Sequence, residues 1–207
     1  MKRVIDIFGA VVGIIIFLPI KFVTAIHIKR VSPEGPIFAD IPNRAGQFGK
    51  DFRMYKFRSM IPNAHEWFEK NPELYEKYKA NDYKLEADED PRLIPGAVFM
   101  RKSSIDELPQ FFNILFGHMS LVGPRAYYPF EIEEQVEKFP ETKKHIEILS
   151  TAKPGLTGPW QVGGRNEIDF VSRVKMDAVY AGKQSIVYDL KILLKTPFIV
   201  IFGKGVI

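Results

Sequence analysis

Asp106 and Glu107 stand side by side in "SSIDELPQFFNILFGHMSLVGPR", residues 103 to 125, between two serines and an apolar run that ends in a Gly-Pro-Arg turn. Adjacent carboxylates in this setting can do two kinds of work. The structural kind is helix capping. Ser104 followed three residues later by Glu107, ahead of an apolar run, has the spacing of a capping box, in which each side chain satisfies an orphan backbone donor. Pro109 argues against it, because a helix capped by Ser104 puts the proline at the fifth helical position, where it removes a needed N–H and crowds the carbonyl four residues back. A helix starting at Asp106 instead leaves Pro109 harmless in the first turn. Either start sets both carboxylates near a helix N-terminus, which also attracts phosphate and metal-phosphate ligands.

Two other stretches carry groups that suit a phosphorylated ligand. Residues 36 to 60 read as a β-hairpin with a Gly-rich connection. If "FRMYKFRS" is extended, Lys56 and Arg58 project from one face and Tyr55 and Phe57 from the other. Two cations so placed suit a phosphate, or else a solvated edge strand that carries charge for solubility. The second stretch, "KPGLTGPWQVGGRN" at 153 to 166, has four glycines and two prolines around Trp160, Gln161, Arg165 and Asn166. It reads as a shaped loop, neither regular helix nor central strand. An aromatic face, an amide and a guanidinium on one loop suit a nucleotide, unless Trp160 belongs to the core and the loop is purely structural.

The elements that must position these groups include an unusual N-terminus. From Ile7 to Ile20 run fourteen residues without a charge. As a helix this run spans about 21 Å, against roughly 30 Å of bilayer hydrocarbon. Pro19 breaks or kinks it, and Lys21 follows at once. Lys2 and Arg3 precede the run, and Lys21, Lys29 and Arg30 follow it, so both flanks favour the cytoplasmic side. A re-entrant hairpin with Pro19 near its turn reconciles these facts. A signal peptide fits less well, since no A-x-A cleavage pattern follows, and a buried core helix is the other alternative. Near the C-terminus, Ile186, Val187, Leu190, Leu193 and Leu194 form a helical stripe opposite Asp189, Lys191 and Lys195, suited to a membrane interface or a protein core. Residues 61 to 90 read as a polar helical insert with Asn71 and Pro72 starting a helix and a solvated acidic loop near 86 to 90. Residues 131 to 149 give one or two amphipathic helices interrupted at Pro140.

Composition sets outer bounds. The 207 residues carry a formal charge of +4 and suffice for one domain with a proper core. A pI near 9.1 suits an anionic partner: a lipid head group, a nucleotide or a nucleic acid. The absence of cysteine excludes disulfides, thiol catalysis and thiolate metal sites. Four scattered histidines, His27, His65, His118 and His145, lack ligand-like spacing and argue against zinc, leaving a hard metal held by oxygen open.

In order, "KRVID" with a short Pro-broken apolar segment, "YKFRSM", "MRKSSIDELPQFFNIL", "MSLVGPR", "KPGLTGPWQVGGRN" and a D-x-x-Y segment leading into "SIVYDLKILLKT" resemble the bacterial sugar transferases, the monotopic phosphoglycosyl transferases, over nearly the whole chain. The insert with its "DPRL" looks most like the branch containing the undecaprenyl-phosphate galactose phosphotransferases. Two departures stand out: Gly123-Pro124-Arg125-Ala126 lacks the family's usual second proline, and Leu18-Pro19 replaces a frequent Ser-Pro.

The resemblance implies an α+β, mainly helical fold with a small β element, a re-entrant membrane helix over 1–30, and a cytoplasmic catalytic domain over 31–207 with interfacial helices. It implies transfer of a sugar 1-phosphate from a UDP-sugar, with UDP-galactose or UDP-glucose favoured, to polyprenyl phosphate, at the cytoplasmic face of a bacterial inner membrane. Asp106 would be the nucleophile and a Mg²⁺ ligand, and Glu107 its partner in the dyad. Arg101, Arg125, Lys56 and Arg58 would supply positive charge, because phosphoryl transfer depends on positioning and electrostatics. Gln161, Arg165 and Asn166 would contact substrate. Membrane lipids are expected partners and nucleic acid is not; no oligomeric state is implied. The competing class is a non-catalytic peripheral membrane module that binds anionic lipid or nucleotide through basic faces.

Overall fold

A computed structural model describes residues 1–64, 66–80, 85, 89–164 and 168–202. The chain opens with two helices, α1 (Lys2–Ile16) and α2 (Leu18–Val31), whose axes bend by 58°. The break falls at Phe17, which stacks on Phe111 at 6.0 Å, and Pro19 sits in the first turn of α2 where its missing N–H costs nothing. The expected position of the turn thus moves two residues toward the N-terminus. No single helix among the described residues is long and apolar enough to cross a membrane.

The inner face of α1 is built for close approach. Gly9 and Gly13 lie so near Leu121 and Phe111 that an added Cβ would come within 2.5 Å of either side chain. Asp6 on the same face accepts from the Ser120 hydroxyl at 2.8 Å and the Leu121 N–H at 2.9 Å. Lys2 donates to Asp189, Tyr180 and the Val122 carbonyl, and Arg3 donates to the carbonyls of Ile114 and Leu115. Every charge in "KRVID" therefore ties the first helix to later parts of the chain.

After α2 an irregular segment makes two isolated antiparallel bridges, Phe38 with Phe57 and Arg44 with Phe52, in place of the expected regular hairpin. The insert follows with α3 (Glu66–Glu69) and α4 (Pro72–Ala80), the latter starting at the expected Pro72. Asp90 departs from the solvated loop: it is buried and paired with Arg92, whose guanidinium lies 4.0 Å from the Phe68 ring centroid. Next come α5 (Ala97–Lys102), a 3-10 turn at Ile105–Glu107, α6 (Gln110–Phe116) and β1 (Ser120–Val122). Helices α7 (Pro129–Lys138) and α8 (Lys143–Leu149) flank a 3-10 turn that begins at Pro140, as the sequence suggests. The chain ends in β2 (Gly155–Thr157), α9 (Pro159–Gly163), α10 (Phe170–Gly182) and α11 (Ile186–Phe202).

The small β element is the parallel pair β1 and β2, with Ser120 opposite Gly155 and Val122 opposite Thr157. The core falls into three apolar clusters, of which the largest includes β1. The largest gathers Ala10, Phe111, Ile114, Leu121, Val122 and Ile192, a second sets Ile28 against Phe57, Ala97 and Met100, and a third joins α8 to α10 through Leu149, Val174 and Ala178. Asp189 contradicts its expected solvent-facing place on α11, since it is buried against Tyr180 and Lys2. The outer faces are apolar as well. Val4, Phe8, Val11 and Ile15 on α1, Phe22, Val23 and Ile26 on α2, and Val187, Leu190, Leu194 and Phe198 on α11 are all exposed. Rows of exposed apolar side chains at helical spacing are the mark of a surface that meets lipid or protein.

Candidate active site

The dyad sits on the 3-10 turn between α5 and α6. Ser104 enters that turn with φ of 55°, a left-handed conformation uncommon outside glycine. Its side chain makes no capping bond, and α6 begins beyond Pro109, so the capping box is not formed. Both carboxylates turn instead toward Lys56. Its Nζ lies 2.8 Å from Asp106 Oδ2 and 3.7 Å from Glu107 Oε1. The Asp106 side chain is 2% exposed and that of Glu107 39%, so one carboxylate is sealed and the other faces the opening. Burial works against the Lys56 charge, but Asp106 and Glu107 outweigh it and raise its pKa, so the ammonium persists.

Lys56 is held by backbone bonds on either side. The Phe57 N–H donates to the Asp106 carbonyl at 2.8 Å. The buried Asn113 amide accepts from the Tyr55 N–H at 2.8 Å and donates to the Arg53 carbonyl at 2.7 Å. This irregular backbone also corrects the pairing of Lys56 with Arg58. Arg58 does not share the dyad's space: its guanidinium is buried and donates to Ser32, Pro36 and Met60, which fixes the turn after α2. Arg101 makes no direct contact with either carboxylate and acts on Asp106 through its charge alone. It donates from Nε to the Ser59 hydroxyl at 3.1 Å, and although burial lowers its pKa, Asp106 supports its charge.

Arg125 belongs to a second cluster, built by a crossing of bare backbone. A Cβ on Gly155 would lie 2.0 Å from the Gly123 nitrogen, and one on Gly158 2.0 Å from the Gly123 oxygen. Glycine is required at both positions for steric reasons. Within the described part of 153 to 166 the chain forms neither a long helix nor a central strand, but Gly155–Thr157 is the three-residue β2 and Pro159–Gly163 the five-residue α9. The crossing carries Arg125 to Trp160, which is 7% exposed and part of the core, so its ring is not free to stack on a base. The guanidinium carbons of Arg125 and Arg173 lie 4.8 and 5.0 Å from the Trp160 ring centroid. Gln161 follows in α9, its Oε1 buried without a hydrogen-bond partner. Arg165 and Asn166 lie outside the described residues.

Sequence reasoning missed Arg44, Arg173 and Asp177. Arg44 donates to the Ala126 carbonyl at 2.9 Å and lies 3.3 Å from the Tyr128 ring centroid. Burial pulls its pKa down to about 10; Arg125 adds to that fall while Glu131 and Glu107 oppose it, so Arg44 sits within electrostatic reach of both clusters. The wholly buried Asp177 accepts the Arg125 N–H at 2.9 Å. Burial raises its pKa to about 7, against the opposing pull of that bond and of Arg125 and Arg173. Since the folded value lies above the unfolded one, the native state holds the extra proton and stability falls as pH rises from about 4 to about 7. Asp177→Asn keeps an acceptor for the Arg125 N–H and removes the titration. Thermal unfolding in detergent should show the variant gaining on the wild type across that interval, with a constant difference above it. A gap independent of pH would refute the assignment.

Among the described residues, no three acidic or histidine side chains converge to hold a metal unaided. Asp106 and Glu107 provide two adjacent carboxylates, a set that fits Mg²⁺ when phosphate oxygens and water complete it. Beside the dyad opens an almost wholly apolar groove of about 420 Å³, lined by Ile20, Val23, His27, Phe99, Met100 and Ile105, the last adjoining Asp106 in sequence.

The family model described as bacterial sugar transferase matches residues 1–203, and the chain belongs to that family. It is 41% identical over 205 residues to the galactosyl transferase CpsE of Streptococcus agalactiae, covering 99% of this chain and 43% of that protein. It is 37% identical over 208 residues to the undecaprenyl-phosphate galactose phosphotransferase of Salmonella typhimurium, covering 99% and 41%. The exopolysaccharide production protein ExoY of Sinorhizobium fredii is 35% identical over 208 residues, with 99% and 87% covered. The chain thus spans less than half the length of the first two relatives and most of the third.

Proposed function

We propose that this protein transfers a sugar 1-phosphate from a UDP-sugar to a polyprenyl phosphate, with release of UMP, at the cytoplasmic face of a bacterial inner membrane. The observation that carries the reading is the buried Asp106 carboxylate, held against Lys56 beside an apolar groove that Ile105 helps to line. A dyad with exposed Glu107 next to the sealed Asp106 stands where a water-soluble donor and a membrane-bound acceptor can meet.

The reaction runs in two displacements. A carboxylate oxygen of Asp106 bonds to the phosphorus that bears the sugar, the bond from that phosphorus to the bridging oxygen breaks, and UMP leaves with the oxygen and its electron pair. A phosphate oxygen of the acceptor then bonds to the same phosphorus and frees the aspartate, giving polyprenyl diphosphate sugar. Lys56 and Arg101 offset the repulsion between carboxylate and diphosphate, and Glu107 at the opening orients the acceptor phosphate. Asp106 and Glu107 would hold Mg²⁺, whose role is to neutralise phosphate charge. The exposed apolar faces of α1, α2 and α11 lie in the interface, with the bent α1–α2 pair re-entrant, so that the groove opens toward the acyl chains.

The sequence resemblance favours galactose or glucose as the sugar, and a panel of donors decides it. Full-length protein in lipid nanodiscs with Mg²⁺, polyprenyl phosphate and one UDP-sugar at a time should release UMP and form a lipid-linked sugar with UDP-galactose or UDP-glucose. Failure with every UDP-hexose and UDP-N-acetylhexosamine, in protein that still binds vesicles, would favour the non-catalytic reading.

A further inference from the structure

Like charges held together in a buried place need a reason. Arg125 and Arg173 both lie against Trp160, and the Arg125 charge adds to burial in lowering the Arg173 pKa. Arg173 is only 9% exposed. It donates to the Ile168 carbonyl at 3.0 Å, yet its Nε has no partner, and neither has the buried Nε of Arg125. Trp160 Nε1, 7% exposed as a residue, is also unpaired, so three buried donors at one place lack an acceptor. Unmade hydrogen bonds at buried polar atoms are costly, and several at one place indicate a missing ligand.

The charges state its sign. Arg44, Arg125 and Arg173 bring three positive charges, while Asp177 and Glu131 are the carboxylates that act on Arg173. Glu131 also faces the Tyr128 N–H at 3.3 Å. Three guanidinium groups against two carboxylates leave positive charge over. Two guanidinium forks braced on one indole form a phosphate seat, and Trp160 serves as their platform rather than as a stacking partner for a base.

We infer that Arg173, together with Arg125, binds the phosphate on the nucleotide half of the donor, the group that departs as UMP. This rests on the function proposed above and adds Arg173 and Trp160 to it: the dyad engages the sugar-bearing phosphorus, and the paired arginines hold the other phosphate, on which charge builds as the bridging bond breaks. Trp160 is a positioning residue here, and Arg173 a binding one.

The test measures binding of UMP and of uridine to full-length protein in nanodiscs, by titration calorimetry or equilibrium dialysis, for wild type, Arg173→Gln and Arg173→Lys. Loss of a charge-assisted contact should weaken UMP by roughly tenfold or more in Arg173→Gln while uridine changes little. Arg173→Lys keeps the charge but loses the fork and should fall between. Should Arg173→Gln fail to fold, Arg173→Lys carries the test alone. Equal losses for UMP and uridine, or no loss for UMP, would overturn the assignment. Intact mass after mixing with donor in the absence of acceptor separates the two levels. Wild type that neither gains hexose phosphate nor binds UMP overturns the underlying function, whereas wild type that does both beside variants with unchanged UMP affinity overturns the role of Arg173 alone.

Discussion

Asp106→Asn should form no covalent adduct with any donor, and its turnover should fall on the order of 10⁴-fold or more, the scale seen when a nucleophile is removed. The amide fits the same buried space and keeps an oxygen near Lys56, while Lys56 retains Glu107 at 3.7 Å, so the fold should survive. What is lost is the electron pair that attacks phosphorus. Intact mass of wild type mixed with donor and Mg²⁺, without acceptor, should show an added hexose phosphate that the variant lacks. Exchange of labelled UMP into the UDP-sugar should vanish in parallel, while UMP binding persists. If the variant still turned over at a rate within tenfold of wild type, the two-displacement scheme would give way to direct attack by the acceptor phosphate.

Lys56→Met should give the second large effect, and its signature is a changed pH dependence. In the wild type the ammonium stays charged because two carboxylates outweigh its burial, and its raised pKa means that its stabilising effect is complete at neutral pH and is lost only as pH rises through that value. Removing it leaves the sealed Asp106 carboxylate without its nearest cation, a change that costs roughly 3–5 kcal/mol for a buried pair unless a proton is taken up. Proton uptake silences the nucleophile. Adduct formation at pH 7 should therefore drop by up to about tenfold, since 3–5 kcal/mol corresponds to roughly two to four pKa units. Activity should recover partly toward pH 9. Quenched-flow mass measurements across pH would check this, with Lys56→Arg restoring much of the profile. A uniform loss at every pH would mean that Lys56 acts on donor binding and not on the nucleophile's charge.

The surroundings of the dyad were partly legible because its neighbours lie close in sequence: Asp106, Glu107 and Arg101 fall within seven residues, and Lys56 was one of two cations on a short motif. What could not be read was which of the two cations reaches the carboxylates. Alternation along a strand put Lys56 and Arg58 together, but between them the segment makes only an isolated bridge, at Phe38 and Phe57; Asn113 and the Asp106 carbonyl hold its other edge, and Arg58 turns to the loop after α2. Asp189 misled for a related reason, since a helical stripe says nothing of a lysine 187 residues away that makes its burial tolerable. The glycines of 153 to 164 signalled a loop, whereas their role is to let one backbone cross another at a distance no Cβ allows. Arg44, Arg173 and Asp177 meet only through that crossing. The bent N-terminal pair, the insert helix at Pro72 and the break at Pro140 were legible because proline acts locally.

The way α1 is stitched into the rest also bears on how the molecule comes to exist. Its Ala10 is wholly enclosed by the main core, its Asp6 satisfies a buried hydroxyl, and its Lys2 neutralises a carboxylate on the final helix. Lys2 and Asp189 stand 187 residues apart, so α1 cannot complete its contacts until α11 has been made. Docking of α1 and docking of α11 are thereby coupled into one cooperative event. α1 is thus a structural member of the fold, and a change that loosens it is felt at α11 as well.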